Sequence, residues 1–246
     1  TPGSGTTGPV NVVNAEGDID IGTAAAITGG VVLNGGVIPV AQQMTLSMTG
    51  GAIRFNGPVT LGAQVSLDTS SGGGNVIFTC HASVDSDSDE ANELRIAAGS
   101  GGVAFNANLG GAGADTGIGR LIIAEAEGVT FGGADEIAGD SGPVTAVVIA
   151  GDGNDATIDF DIGTDADPIG GIGIVFNAGA GVLAMTTTDD HIRFNGAVTL
   201  QSDVSLSTGA GAGDIVFSSD SPVQSQIGEQ NDLTMTGGTG SLFVNA

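Results

Sequence analysis

From residue 53 onward the chain alternates apolar and polar residues in short triplets. Ile53-Arg54-Phe55, Val59-Thr60-Leu61 and Val65-Ser66-Leu67 start six residues apart, and Val76-Ile77-Phe78 starts 23 residues after the first. The second half repeats the pattern from Ile192, Val198, Val204 and Ile215. Alternation at period two predicts strands with one buried face. The expected core is therefore Ile53, Phe55, Val59, Leu61, Val65, Leu67 and Phe78, with Ile192, Phe194, Val198, Leu200, Val204, Leu206 and Phe217 as counterparts. The breaks fall at Asn56-Gly57-Pro58, Gly62-Ala63-Gln64 and the Gly-Ser-rich stretch before Val76, all turn-forming sequence. No segment sustains a period of 3.6, so helix is not expected.

Strands of three to five residues cannot stand alone. Three of them per cycle of roughly 20–30 residues suit a coil of an all-β, parallel β-helix or β-solenoid, in which each coil pairs with the next. Phe or Leu at 33, 55, 78, 105, 131, 194, 217 and 243 mark the cycle. About ten coils at ~4.8 Å each give a length of roughly 48 Å. Between Phe160 and Phe194 the spacing is irregular and the pattern places no strands. An apolar residue followed by asparagine recurs at Asn34, Asn56, Asn106, Asn177, Asn195 and Asn245. These are expected corner residues, because Asn tolerates left-handed backbone and aligned amides can form a ladder.

A longer repetition overlies this rhythm. Shifting the sequence by 139 residues aligns Thr49–Ala107 with Thr188–Ala246 without a gap, and 25 of the 59 pairs are identical. Gly8-Pro9-Val10 likewise resembles Gly142-Pro143-Val144. The chain reads as about one and three-quarter copies of one long unit, 1–141 followed by 142–246, continuous in fold.

Composition narrows the partners. Glycine contributes 45 of 246 residues, and there is no Trp, Tyr or Lys. A net charge of −24, with Arg54, Arg95, Arg120 and Arg193 the only cationic side chains apart from two histidines, disfavours nucleic acid and anionic membranes. No apolar run reaches the length of a membrane-spanning helix, so membrane insertion is not expected. The single cysteine, Cys80, leaves no internal disulfide. Stability must come from packing and backbone pairing.

The acidic loops supply the candidate metal ligands: Asp85, Asp87, Asp89 and Glu90; Asp152 and Asp155; and Asp159, Asp161, Asp165 and Asp167. Closely spaced hard oxygen ligands suit Ca²⁺, the one cofactor weighed, but a solvated charge run is the preferred reading and no cofactor is required. Asp189-Asp190-His191 has the residue types of an acid–base site, but the sister copy carries Gly50-Gly51-Ala52 there. Cys80-His81 is replaced by Ser219-Asp220. Adjacent strand residues face opposite ways, so Cys80 and His81 do not pair as nucleophile and base. Arg54 and Arg193 occupy matched outward positions and read as surface arginines.

The stretches IRFNGPVTLGAQVSLDTSSGGGNVIF and IRFNGAVTLQSDVSLSTGAGAGDIVF resemble the repeat regions of bacterial filamentous-haemagglutinin-like adhesins and autotransporter passenger β-solenoids. That resemblance implies a secreted or surface-anchored right-handed β-helix acting as stalk, adhesin or fibre. The expectation is a non-enzymatic extracellular or cell-surface structural protein: a filament subunit, surface-layer element or adhesin stalk, self-associating end to end, with cell-surface glycans as a further partner. The alternatives are a polysaccharide-active β-helix enzyme and a two-domain β-sandwich binding module.

Overall fold

A computed structural model describes residues 10–14, 19–21, 31–33, 43–87, 90–111, 117–134, 141–150, 158–164 and 168–245. Every strand of the described residues is β, with no helix among them. The chain passes from one sheet to the next in rotation. β1 (Val10–Asn14), β2 (Ile19–Ile21) and β3 (Val31–Leu33) begin the first, second and third sheets. β4 (Gln43–Met48), β5 (Ile53–Phe55) and β6 (Val59–Leu61) pair with them in parallel. β7 (Gln64–Asp68), β8 (Val76–Phe78) and β9 (Val84–Ser86) make the next circuit. β10 (Glu93–Ala97) and β11 (Gly102–Phe105) follow, and the third sheet is then held by Leu109 alone, bridged to Val84 and Val147.

The circuits resume with β12 (Arg120–Glu125) and β13 (Gly128–Phe131). A small antiparallel pair comes next, β14 (Gly133–Ala134) with β15 (Ser141–Gly142). β16 (Ala146–Ile149) completes that circuit. Then come β17 (Ile158–Ile162), β18 (Gly173–Phe176) and β19 (Val182–Thr187), and after them β20 (His191–Phe194), β21 (Val198–Leu200) and β22 (Asp203–Ser207). β23 (Ile215–Phe217), β24 (Val223–Ser225) and β25 (Leu233–Thr236) make the last full circuit, and β26 (Leu242–Val244) opens another. Apart from β14–β15 all strand pairing is parallel, an arrangement consistent with a parallel β-helix. It excludes the β-sandwich alternative, whose sheets are antiparallel. The first sheet has nine strands, and the circuits range from 21 residues (Gln43 to Gln64) to 38 (Arg120 to Ile158), wider than the expected cycle.

The alternation sets what is inside. β5 and β6 each bury their outer two residues and half-expose the middle one. Ile53, Phe55, Val59, Leu61, Val65, Leu67 and Phe78 are all at most 1% exposed, and Ile192, Phe194, Val198, Leu200, Val204, Leu206 and Phe217 at most 3%. Phenylalanine rings stack through this interior. Phe55, Phe78, Phe105 and Phe131 lie in register on the second sheet, with centroids 5.0–5.3 Å apart, close to the strand spacing. Phe176 continues the column at 5.6 Å. It is the layer that the irregular stretch between Phe160 and Phe194 conceals from sequence. Leu33 lies on the third sheet and Phe243 points outward on the first, so neither joins the stack.

Above Phe176 the column changes wall. Its register partner on the second sheet is Leu200, and the next ring, Phe194, belongs to the first sheet, packed edge-on at 70°. The cause is the long repeat. β5 in the second sheet and its copy β20 in the first are separated by 14 strand positions, counting Leu109 as one and omitting β14–β15. Fourteen positions are four circuits and two thirds. The second copy is therefore laid down two thirds of a circuit further round, and every repeated strand sits on a different sheet from its twin.

Candidate functional site: outer faces and the uncovered layer

Of the enzyme-like strings, Asp189 and His191 tie their circuit to the next. Asp189 holds left-handed backbone (φ 63°) where the first copy has glycine, and its Oδ1 accepts the Gly211 N–H. Asp190 is fully buried, and its carbonyl accepts the Thr187 hydroxyl. His191 Nδ1 accepts the Asp214 N–H at 2.9 Å and lies 3.6 Å from that carboxylate. Cys80 and His81 sit in a turn closed by Ala82 N–H to the Thr79 carbonyl, not on a strand, and Ser219-Asp220 occupies the same turn in the second copy.

The arginines at matched positions face outward on different sheets. Arg193 donates to Asp161 at 3.2 Å from one circuit earlier. Asp161, a candidate calcium ligand, is thereby committed to a guanidinium. Arg54 lies opposite Asp20 and Ile77 in register. Arg120 pairs with Glu93 at 3.6 Å. Of the other candidate ligands, Asp85 is half-buried on β9, Asp87 and Glu90 are exposed, and the Glu90 carboxylate accepts from Asn92. Asp89, Asp152, Asp155, Asp165 and Asp167 lie outside the described residues, as does the side chain of Asp159. Among the described residues no group of three His, Cys, Asp or Glu side chains converges on a common point.

The corner asparagines work differently from expectation. None of Asn56, Asn106, Asn177, Asn195 and Asn245 has positive φ; the backbone N–H of each bonds the carbonyl that ends a strand one circuit below. Asn34 lies outside the described residues. Instead of stacking on another amide, buried Asn56 accepts the Thr79 hydroxyl at 2.8 Å, and Asn195 accepts that of Ser218. A hydroxyl one layer up satisfies the amide oxygen without needing the same residue in every circuit. Asn177 does make the expected amide-to-amide link, donating to the Gln201 Oε1 one layer up at 3.0 Å.

Sequence reading missed the asparagines with most bonds. Asn92 donates to the Leu61 carbonyl at 2.8 Å, and its own N–H is bound by the Ser86 hydroxyl. Asn231 repeats this with Leu200 and Ser225. The signal was present: Ser86, Glu90 and Asn92 are all identical to Ser225, Glu229 and Asn231 across the repeat.

On the outer face of the second sheet, Gly102, Ala104 and Gly128 leave a shallow depression of about 320 Å³, bordered by Asn75, Asn106 and Glu127. The Asn75 Oδ1 that borders it accepts the Gly102 N–H. The depression is open, and this bond ties two circuits together.

Among the described residues, exposed apolar side chains gather at the last circuit. β24, β25 and β26 end their sheets, so one edge of each has no strand beside it. Their twins in the first copy are β9, β10 and β11, which are covered by the next circuit. Val84, Leu94, Ile96, Val103 and Phe105 are at most 2% exposed there. The matching Val223, Leu233 and Met235 are half-exposed, while Leu242 and Val244 are 47% and 54% exposed. Ile227 is fully exposed. Covering an aliphatic side chain of this size stabilises by about 1.5–3 kcal/mol, and an unpaired strand edge is a template for another strand.

Comparison of the chain with protein-family models, curated proteins and solved structures finds no match to any of them.

Proposed function

We propose that the chain is a structural element, a right-handed parallel β-solenoid of about three strands per coil that acts outside the cell as a fibre subunit or stalk and associates end to end. One observation carries this reading. The chain passes through three parallel sheets in rotation, and each circuit buries the aliphatic and phenylalanine side chains of the one before it, so the layers stabilise one another by stacking. The chemistry of the sides agrees. The outer residues of the described strands are mostly short and polar, two arginines pair with carboxylates of the preceding circuit, and a net charge of −24 opposes side-by-side clumping. Eight spacings of ~4.8 Å separate the first and last strands of the nine-stranded sheet, roughly 38 Å along the stack.

Negative-stain imaging and small-angle scattering at rising concentration, in salt with and without calcium, test the reading. Unbranched threads of constant width are expected, their length increasing with concentration. A monodisperse monomer throughout overturns the assembly, and a rounded particle overturns the rod.

A further inference from the structure

We infer that the depression on the outer face of the second sheet binds a neutral saccharide, with Asn106 as its principal hydrogen-bonding residue. The depression crosses β8, β11 and β13 in the middle of the stack, so the inference stands apart from end-to-end association. It exists because neighbouring outer positions carry almost no side chain. In register, Gly102 lies beside Gly128, and Ala104 lies between Ile77 and Thr130. Ile77 forms one side, and Ile172, 64% exposed, stands as the other. Gly128 makes room for that second wall, because a Cβ on it would meet the Ile172 Cβ at 2.6 Å. The floor is therefore aliphatic side chain and flat backbone.

Asn106 separates this hollow from a mere gap in the side chains. It is only 3% exposed, it borders the depression, and its side-chain amide has no hydrogen-bond partner among the described residues. The matched corners are closed: Asn56 and Asn195 each accept a hydroxyl from one layer up. Above Asn106 that place belongs to Gly132, whose N–H bonds the Phe105 carbonyl and which has no hydroxyl to offer. The amide donor and acceptor are thus left for whatever enters. At the other end of the strands, Glu127 lays its carboxylate over Gly170 and Gly171, where an added Cβ would come within 2.7 and 3.0 Å of its oxygens. A saccharide ring presents an aliphatic C–H face and a rim of hydroxyls that both donate and accept. It matches an apolar floor, an amide and an accepting carboxylate, the few placed polar groups of a small-ligand site. Among the described residues no arginine or histidine lines the depression, and the chain carries a net charge of −24, so an anionic sugar is repelled. The second copy lacks the hollow, with Ser241 and Phe243 in place of Gly102 and Ala104.

Saturation-transfer NMR on the full chain tests this, with maltotriose, cellotriose, lactose and diacetylchitobiose as neutral probes and trigalacturonate and trilysine as charged ones. At least one neutral saccharide should receive saturation, and trigalacturonate should not. Gly102→Leu fills the depression without crowding the backbone, because a Cβ there meets nothing closer than 3.6 Å. It should abolish the transfer and leave thermal unfolding unchanged. Asn106→Ala should weaken binding by about three- to tenfold, the loss of roughly one hydrogen bond. Its unfolding midpoint should not move, since no side-chain bond within the protein is broken. Absence of transfer to every neutral saccharide, or equal transfer with Gly102→Leu, overturns the site. Transfer to a charged probe alone overturns the ligand class. A lowered unfolding midpoint in Asn106→Ala makes that amide structural and overturns its role in binding. Sedimentation of both variants should match the unaltered chain, so failure here leaves the fibre reading untouched.

Discussion

β9–β11 and β24–β26 occupy matched positions of the long repeat and differ in what lies above them. Val103 and Phe105 are at most 2% exposed, whereas Leu242 and Val244 are about half exposed. Their backbone pairing to the circuit below is the same: β11 lies on β8 as β26 lies on β23. Burial is thus not a property of the repeat unit. It belongs to the layer contact, which is how a quasi-one-dimensional stack distributes its stability.

The largest expected effect contrasts the two ends of the phenylalanine column. Phe78 is sandwiched between Phe55 and Phe105, while Phe217 has Phe194 on one side and half-exposed Val244 on the other. Phe78→Ala should cost about 3–5 kcal/mol in denaturant unfolding. Phe217→Ala should cost clearly less, because the site can relax towards the open edge; equal losses would show that the upper layer is as tightly packed as the middle.

Glycines at two corners should behave alike. A Cβ on Gly74 would meet the Gly51 carbonyl oxygen at 1.9 Å, and one on Gly213 would meet that of Asp190 at 2.4 Å. Thr69 and Thr208 bond the carbonyls of the same two glycines. The corners join different pairs of sheets, yet the obstacle is backbone in both, so Gly74→Ala and Gly213→Ala should each destabilise by about 1–3 kcal/mol. A large difference between their unfolding midpoints would mean that the walls are not equivalent.

Asn92→Ala and Asn231→Ala should each cost about 1–2 kcal/mol by leaving the Leu61 or Leu200 carbonyl without its side-chain donor. Hydrogen exchange should rise at the same turn in both copies. The smallest effect belongs to a surface ion pair: a double-mutant cycle on Arg193 and Asp161, whose side chains are 15% and 19% exposed, should give a coupling of about 0.5–1 kcal/mol, decreasing with salt.

Much of the fold was legible because alternation reports directly on inside and outside. The triplets at 53, 59, 65 and 76 became β5 to β8, on successive sheets. Alternation does not report which wall a strand joins, so nothing in the repeated phrase reveals that Phe55 and Phe194 belong to different sheets. Phe176 escaped notice because its circuit is long and its neighbours are glycine-rich; only the Phe131 register places it. The asparagines were marked by position; the expected left-handed backbone is absent, and the expected amide link across layers is made by Asn177 to Gln201, while Asn56 and Asn195 meet hydroxyls instead. Their role is set by a hydroxyl 23 residues later, at Thr79 or Ser218, a spacing that means little until circuit length is known. Asp161 shows the same blindness, being 32 residues from the arginine that holds it.

The switch of the aromatic column from one wall to another bears on how such chains lengthen. A phrase that packs equally well on any of the three walls frees duplication from the need to span whole turns. Tandem insertion at any strand boundary preserves the interior, so the coding sequence can grow or shrink in small steps. The markings on the outside then wind around the molecule like a barber's stripe instead of lining up along one side.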